Sequence, residues 1–243
     1  MELFDSFIGK MWVFDKEEIA KASLAVRLSM GDYISNKIKA GGYEQDNLEI
    51  VGKYLQLGST CVIAGANIGM YSVFTSQKAN KGIVYSFEPN FEIYKVLAQN
   101  SILYKNIKPF NFGLHNKNSI INYRGLNFKV VVGDEFLQHL DKVDFIKIDV
   151  DGAEVGVIQG LQELIKRSPN LLMLCEFSKV HYELSGFTMD QFFDLIESLR
   201  FQYGRIYKGT IDLKNAKNQL MLVAANQHWN LLLWKGIEPF WEV

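Results

Sequence analysis

The sequence predicts an α/β fold: a doubly wound, mostly parallel sheet with an antiparallel terminal hairpin, preceded by N-terminal helices. Three observations predict it. From Thr60 onward, short apolar runs alternate with helix-like segments. Central runs such as "LLMLC" are apolar on successive residues, as in strands covered on both faces. The final two runs, "FQYGRIY" and "QLMLVAA", have between them only the stretch from Lys208 to Asn218, which contains Gly209 and no clear helix. That spacing suits a hairpin better than a crossover.

Residues 1–58 read as a helical segment packed on the main domain, which spans 59–243. "DKEEIAKASLAVRLSMG" has an N-cap candidate in Asp15 and a terminator in Gly31. "DNLEIVGKYLQLG" sets Leu48, Val51 and Leu55 on one helical face and ends at Gly58. The paired glycines of "KAGGYEQD" mark a loop between them. The strand candidates that follow are "TCVIAG", "GIVYSFE", "IKPFNF", "VDFIKIDV", "LLMLCEF", "FQYGRIY" and "QLMLVAA". The intervening helices are expected at 68–77, 91–100, 155–167 and 188–199, and "SIINYRGLNFKVVVGDE" suits a small extra hairpin.

The chain has 243 residues, enough for one large domain. With 48% hydrophobic and 22% charged residues it can bury an ordinary core. A formal charge of −1 with no cluster of Lys and Arg argues against nucleic acid as a partner. There is no apolar run long enough for a membrane span and no signal-peptide layout at the N-terminus. Cys61 and Cys175 lie in apolar runs, which suits buried free thiols and a cytoplasmic location.

The stretch "IAGANIGM" joins the first strand of the main domain to a helix. Gly65 permits a tight turn and a close backbone approach, Ala66 is small for the same reason, Asn67 can cap the helix, and Gly69 opens it. Where dinucleotide-binding turns have a second glycine, Asn67 would crowd a diphosphate. A cofactor without phosphates, such as S-adenosylmethionine, makes no such demand. A purely structural strand-to-helix turn has the same spacing. Glu88 follows the next strand, 23 residues after Gly65, where an acid accepts hydrogen bonds from ribose hydroxyls. In "VDFIKIDVDGAE", Asp149, Asp151 and Glu154 surround Gly152 at the end of a further strand. Such a cluster can hold a cationic cofactor group, a metal or a proton, and can equally cap the following helix.

Together "GGYEQD", "GANIGMYS", "FEPN", "DFIKIDVDGAE" and "CEFS", in that order between Gly42 and Ser178, resemble the FkbM family of S-adenosylmethionine-dependent methyltransferases. The resemblance implies a class I, Rossmann-like methyltransferase fold with seven strands and a reversed terminal hairpin. It also implies methyl transfer to an oxygen, often a hydroxyl of a sugar or natural-product-like small molecule. By that resemblance Gly65, Ala66, Asn67 and Gly69 would wrap the cofactor, Glu88 would hold its ribose, and Asp149 would line the transfer site. One position departs from the pattern. The family usually has Asp where this chain has Ile63, and in related methyltransferases that acid anchors the methionine end. Glu44 or Asp149 would have to compensate, or the chain would be a non-catalytic S-adenosylmethionine or nucleoside-binding module.

Candidates for the base that takes the acceptor proton are Asp149, Asp151, Glu176 and His181. Asp149, Asp151 and Glu176 could instead collect a divalent cation, although nothing in their spacing demands one. The tail "NQHWNLLLWKGIEPFWEV", with Trp229, Trp234 and Trp241, offers either a homodimer or acceptor-docking surface or packing against its own domain.

Overall fold

In the computed structural model, described for residues 1–15, 17–18, 31–212, 217 and 228–238, the chain opens on a hairpin of β1 (Glu2–Ser6) and β2 (Gly9–Val13). This corrects the expectation of helix at the start of the chain. The turn is closed by the Ser6 hydroxyl, which donates to Gly9 O at 2.6 Å. Met11 and Val13 are buried on one face in the period-2 alternation of a strand. The expected helix from Asp15 lies mostly outside the described residues. Gly31 belongs to α1 (Gly31–Lys39) and does not end a helix. After the 40–44 loop comes α2 (Gln45–Tyr54), which buries Leu48 and Val51 as its spacing predicts.

The main sheet then begins with β3 (Cys61–Ala64), α3 (Met70–Ala79), β4 (Val84–Phe87), α4 (Phe91–Leu103) and β5 (Ile107–Phe110). A three-stranded insertion follows: β6 (Gly113–His115), β7 (Ser119–Tyr123) and β8 (Leu126–Val132). It contains the small hairpin expected there. Next come α5 (Gly133–Phe136), β9 (Phe145–Ile148), α6 (Glu154–Gly160), α7 (Gln162–Lys166), β10 (Leu171–Phe177), α8 (Lys179–Leu184) and α9 (Met189–Ser198). Residues 155–167 thus form two helices and not one. Leu161 leaves the helical conformation with ψ 11°, and its N–H turns back to Ile158 O at 3.2 Å. The described chain closes with β11 (Gln202–Tyr207), β12 (Thr210–Asp212) and β13 (Trp229–Lys235).

The sheet order is β12-β11-β13-β10-β9-β3-β4-β5. β5, β4, β3, β9 and β10 are parallel, whereas β13 runs antiparallel between β10 and β11. The reversed strand is therefore present, but it is β13. The run "QLMLVAA" expected in that role lies outside the described residues. The short β12 adds an eighth strand at the edge. Trp234 is buried within the sheet and Trp229 is half-buried at the start of the same strand, while Trp241 lies outside the described residues.

Each face of the sheet has its own core. Val62, Ile146, Ile148 and Met173 pack with Val155, Ile158, Phe192 and Ile196 from α6 and α9. Ile63, Leu174 and Leu232 pack on the other face with Ile50, Val51, Val73 and Val96, and Met11 and Val13 of the N-terminal hairpin join that same layer. The hairpin is pinned by Asn100 of α4, whose side-chain amide donates to Trp12 O and Ile68 O while its oxygen accepts from Trp12 N–H. Cys61 and Cys175 are free and buried. Among the described residues no helix is long and apolar enough to cross a membrane.

Candidate active site

The parallel strands β10, β9, β3 and β4 are neighbours, so Glu176, Asp149, Gly65 and Glu88 meet at their carboxyl ends. In an open α/β sheet this is the edge where ligands bind. They line one cleft of about 940 Å³, together with Glu44, Asn67, Asp151, His181 and the tip of the β7–β8 hairpin.

The glycine turn is built against the sheet as much as toward the cleft. Gly65 has φ 77°, and a Cβ there would run into the carbonyl oxygen of Asp149. The N–H groups of Gly65 and Ala66 both donate to Phe87 O, at 3.0 and 2.9 Å. Asn67 adopts φ 49° and its side-chain oxygen accepts from Ile68 N–H at 2.8 Å. It therefore does not cap α3, whose flanking residue is Gly69. Gly69 does not line the cleft; it packs against Leu97 of α4.

Glu88 faces this turn. Its two carboxylate oxygens accept from Asn67 N–H at 3.0 Å and Asn90 N–H at 2.8 Å. Burial raises its pKa to about 7, with the two amides opposing the rise. Each carboxylate oxygen has a second lone pair, so the group can still accept from a ligand.

Beside the turn, Glu44, Gly65, Ala66, Asn67, Lys147 and Asp149 also line a small side pocket. Lys147 is 1% exposed, a cation in the middle of a buried strand. It donates to Asp149 Oδ2 at 3.0 Å and lies over the Tyr71 ring, 5.2 Å from its centroid. Burial opposes its charge, but Asp149 and Glu44 outweigh that and hold its pKa above the usual lysine range. Glu44 sits at φ 51° before α2 and accepts from the Tyr71 hydroxyl and from Asn47 Nδ2 at 3.1 Å. Ile63 is the register neighbour of Lys147 on β3 and is 1% exposed. An apolar side chain thus replaces the expected acid beside this lysine, while Glu44 and Asp149 supply negative charge from either side.

At the other end of the cleft stand Asp151, Glu176, His181 and His228. Glu176 Oε1 is 3.4 Å from His228 Nδ1, and His181 Nδ1 is 3.8 Å from Asp151 Oδ1. The two imidazole rings meet edge to face with centroids 4.6 Å apart. Burial, then Asp149, raises the Glu176 pKa to about 7. Burial and Asp149 also raise that of Asp151. Burial and His228 lower that of His181, whereas Glu176 raises that of His228. Gly152, at φ 105°, brings the β9–α6 loop against the backbone of His181, because a Cβ there would strike His181 O. Glu154 does not join this group. It is buried beneath the loop, with Oε1 accepting from Val150 N–H at 3.0 Å and Gly152 N–H at 3.2 Å. It closes the loop that precedes α6 and makes no side-chain cap to the helix, so neither the acidic cluster nor the helix cap describes it.

Sequence reasoning missed four contributors. His228 precedes a strand assigned to an undefined tail. Lys147 stands out in "DFIKIDV" as a charge inside an apolar strand, a usable signal. Tyr123 and Arg124, at the tip of the β7–β8 hairpin, reach the cleft only through the insertion's folding. Nothing local in their sequence announces it.

Residues 124–205, about a third of the chain, match the model of the methyltransferase FkbM domain. No curated protein sequence matches the chain. Among solved structures, the precorrin-6y C5,15-methyltransferase of Geobacter metallireducens is similar, with TM-score 0.50 and 12% identity over 80% of this chain and 89% of that one. A putative rRNA methylase of Clostridium thermocellum is similar at TM-score 0.50 and 9% identity, over 79% of this chain and 95% of that one. At these identities the likeness is one of fold: the class I methyltransferase sheet.

Proposed function

We propose, from the match of residues 124–205 to the methyltransferase FkbM domain and from the class I methyltransferase fold, that the chain transfers a methyl group from S-adenosylmethionine to a hydroxyl oxygen of a small-molecule or saccharide acceptor. The observation that carries this reading is the convergence of Glu88, Asp149 and the Gly65–Asn67 turn on one cleft. The donors and acceptors there fit a nucleoside without phosphates. Glu88 offers carboxylate lone pairs to ribose hydroxyls, and the cleft is acidic where a diphosphate would require the opposite charge. Glu44 and Asp149 offset the positive charge of the methionine end, in place of the acid missing at Ile63.

S-Adenosylmethionine, when bound, supplies an activated methyl that an acceptor oxygen takes in line, with the S–CH3 bonding pair left on sulfur as S-adenosylhomocysteine. The protein's own task is alignment and removal of the hydroxyl proton. Glu176, with its pKa near 7, and His181, with its pKa lowered, are matched to accept a proton at neutral pH. Asp151 stands beside His181 to stabilise the imidazolium that would form.

Incubation with S-adenosylmethionine bearing a carbon-13 methyl, against a panel of hydroxylated saccharides and phenols, tests this by NMR. New methoxy signals that disappear in Glu176→Gln support oxygen methylation. Labelled methyl on nitrogen or carbon acceptors alone contradicts it. The buried Ile63 favours a second reading, a non-catalytic S-adenosylmethionine-binding module, which the same experiment supports if ligand binds and no acceptor is ever labelled.

A further inference from the structure

Glu176, His181 and His228 each present one ligand atom, and these atoms lie within 4.8 Å of one another. We propose that they form a binding site for a divalent transition-metal ion of the zinc type, at the acceptor end of the cleft. The donor set argues for the class of ion. Two imidazoles and one carboxylate suit zinc, cobalt or iron, whereas magnesium and calcium favour oxygen ligands throughout.

Two further observations point to a ligand here. His181 is nine-tenths buried, and its Nδ1 has no hydrogen-bond partner among the described residues. Glu176 Oε2 is likewise buried and unpartnered. Buried polar atoms left unsatisfied are costly, so two of them in one cluster call for an occupant. One pair already stands at the spacing an ion needs, and the third atom lies within 4.8 Å of both. Ligand atoms about 2.1 Å from a tetrahedral zinc stand about 3.4 Å apart, and His228 Nδ1 to Glu176 Oε1 is 3.4 Å. Asp151, 3.8 Å from His181 Nδ1, is placed to join as a fourth ligand or to hold a bound hydroxyl.

The site deepens the proposed methyl transfer and rests on it for its purpose. With Glu176 and His181 held as ligands, a Lewis acid at this position would replace them as the means of deprotonation by lowering the pKa of an acceptor alcohol, and an oxygen-bearing acceptor with a second donor atom for the metal, such as a vicinal diol or a catechol, fits best. The assignment of the ion itself stands on the three ligands alone.

The test uses the full chain stripped with chelator and titrated with Co2+, followed by visible absorption, and with Zn2+ by competition. One equivalent of Co2+ should bind, with d–d bands of a nitrogen- and oxygen-ligated ion. His181→Gln and His228→Gln, which keep side-chain bulk, should each weaken binding at least 30-fold. His139→Gln, remote from the cluster, should leave it unchanged. Absence of Co2+ bands at millimolar metal, or equal affinity in all three variants, overturns the site. S-Adenosylmethionine is titrated into the same stripped protein. Retained cofactor binding without metal binding sinks the metal site alone, whereas metal binding with no cofactor binding in either stripped or metal-loaded protein sinks the methyltransferase reading and leaves the metal site standing.

Discussion

Glu88 and Glu44 place negative charge on opposite sides of one glycine turn, and each leads to a distinct expectation. Because burial holds the Glu88 pKa near 7, the free carboxyl is largely protonated at pH 6 and ionised at pH 8. Hydrogen bonds from ribose hydroxyls favour the ionised form, so S-adenosylmethionine affinity should rise severalfold as pH increases through 7 and then level off. In Glu88→Gln that dependence should vanish, as calorimetry at pH 6, 7 and 8 would record. Glu44 shares the side pocket with Lys147 and Asp149, and in the proposed function it stands in for the acid absent at Ile63. Glu44→Ala should weaken cofactor binding about tenfold, or about 1.4 kcal/mol. Adding Ile63→Asp, directly beside Lys147 in register, should recover much of that loss. Additive losses in the double variant would show that the two positions do not substitute for each other. At this scale the sequence was informative wherever chemistry and strand ends coincide, as at Glu88, Asp149 and Glu176. It misjudged Glu154, because an acid that caps its own loop and one that faces a ligand look alike in a string of letters.

In the proposed function, the β7–β8 hairpin is the element that meets the acceptor. Its tip pairs Tyr123 with Leu126 across Arg124 and Gly125, both at positive φ, the geometry of a tight two-residue turn. Arg124 lies over the Tyr123 ring, 4.9 Å from its centroid, and both line the cleft. Arg124→Ala should therefore raise the acceptor KM severalfold and leave the S-adenosylmethionine Kd unchanged. A matching rise in both would place the hairpin at the cofactor instead. The N-terminal hairpin has a structural role. Asn100→Ala removes three hydrogen bonds at a fully buried side chain, which should cost about 2–3 kcal/mol and lower Tm by about 5–10 °C. Calorimetric melting would measure it. Sequence periodicity identified the helices α2, α3, α4 and α9 and six of the eight main-sheet strands, because each has a sustained apolar pattern. It failed on the N-terminal hairpin, where Leu3 and Phe7 are exposed while Met11 and Val13 are buried. There β2 is also held by the distant Asn100, through Trp12, a contact no local pattern announces.

Across the whole molecule, the sheet order explains why one edge holds the chemistry. The parallel neighbours β10, β9, β3 and β4 deliver their ends to one cleft, and the reversed β13 brings the His228 backbone to the same place. The alternation of strands and helices made that architecture legible. The identity of the reversed strand was not: "WNLLLWK" takes that role by pairing with β10 and β11, and nothing in its apolar pattern singles it out from "QLMLVAA" in the sequence. The central claim is that this edge binds S-adenosylmethionine despite Ile63. Calorimetric titration of the full chain with S-adenosylmethionine, beside Glu88→Ala, tests it most directly. The account expects one site with micromolar affinity, weakened at least tenfold in the variant. No binding at millimolar ligand, or equal binding by both proteins, would contradict it.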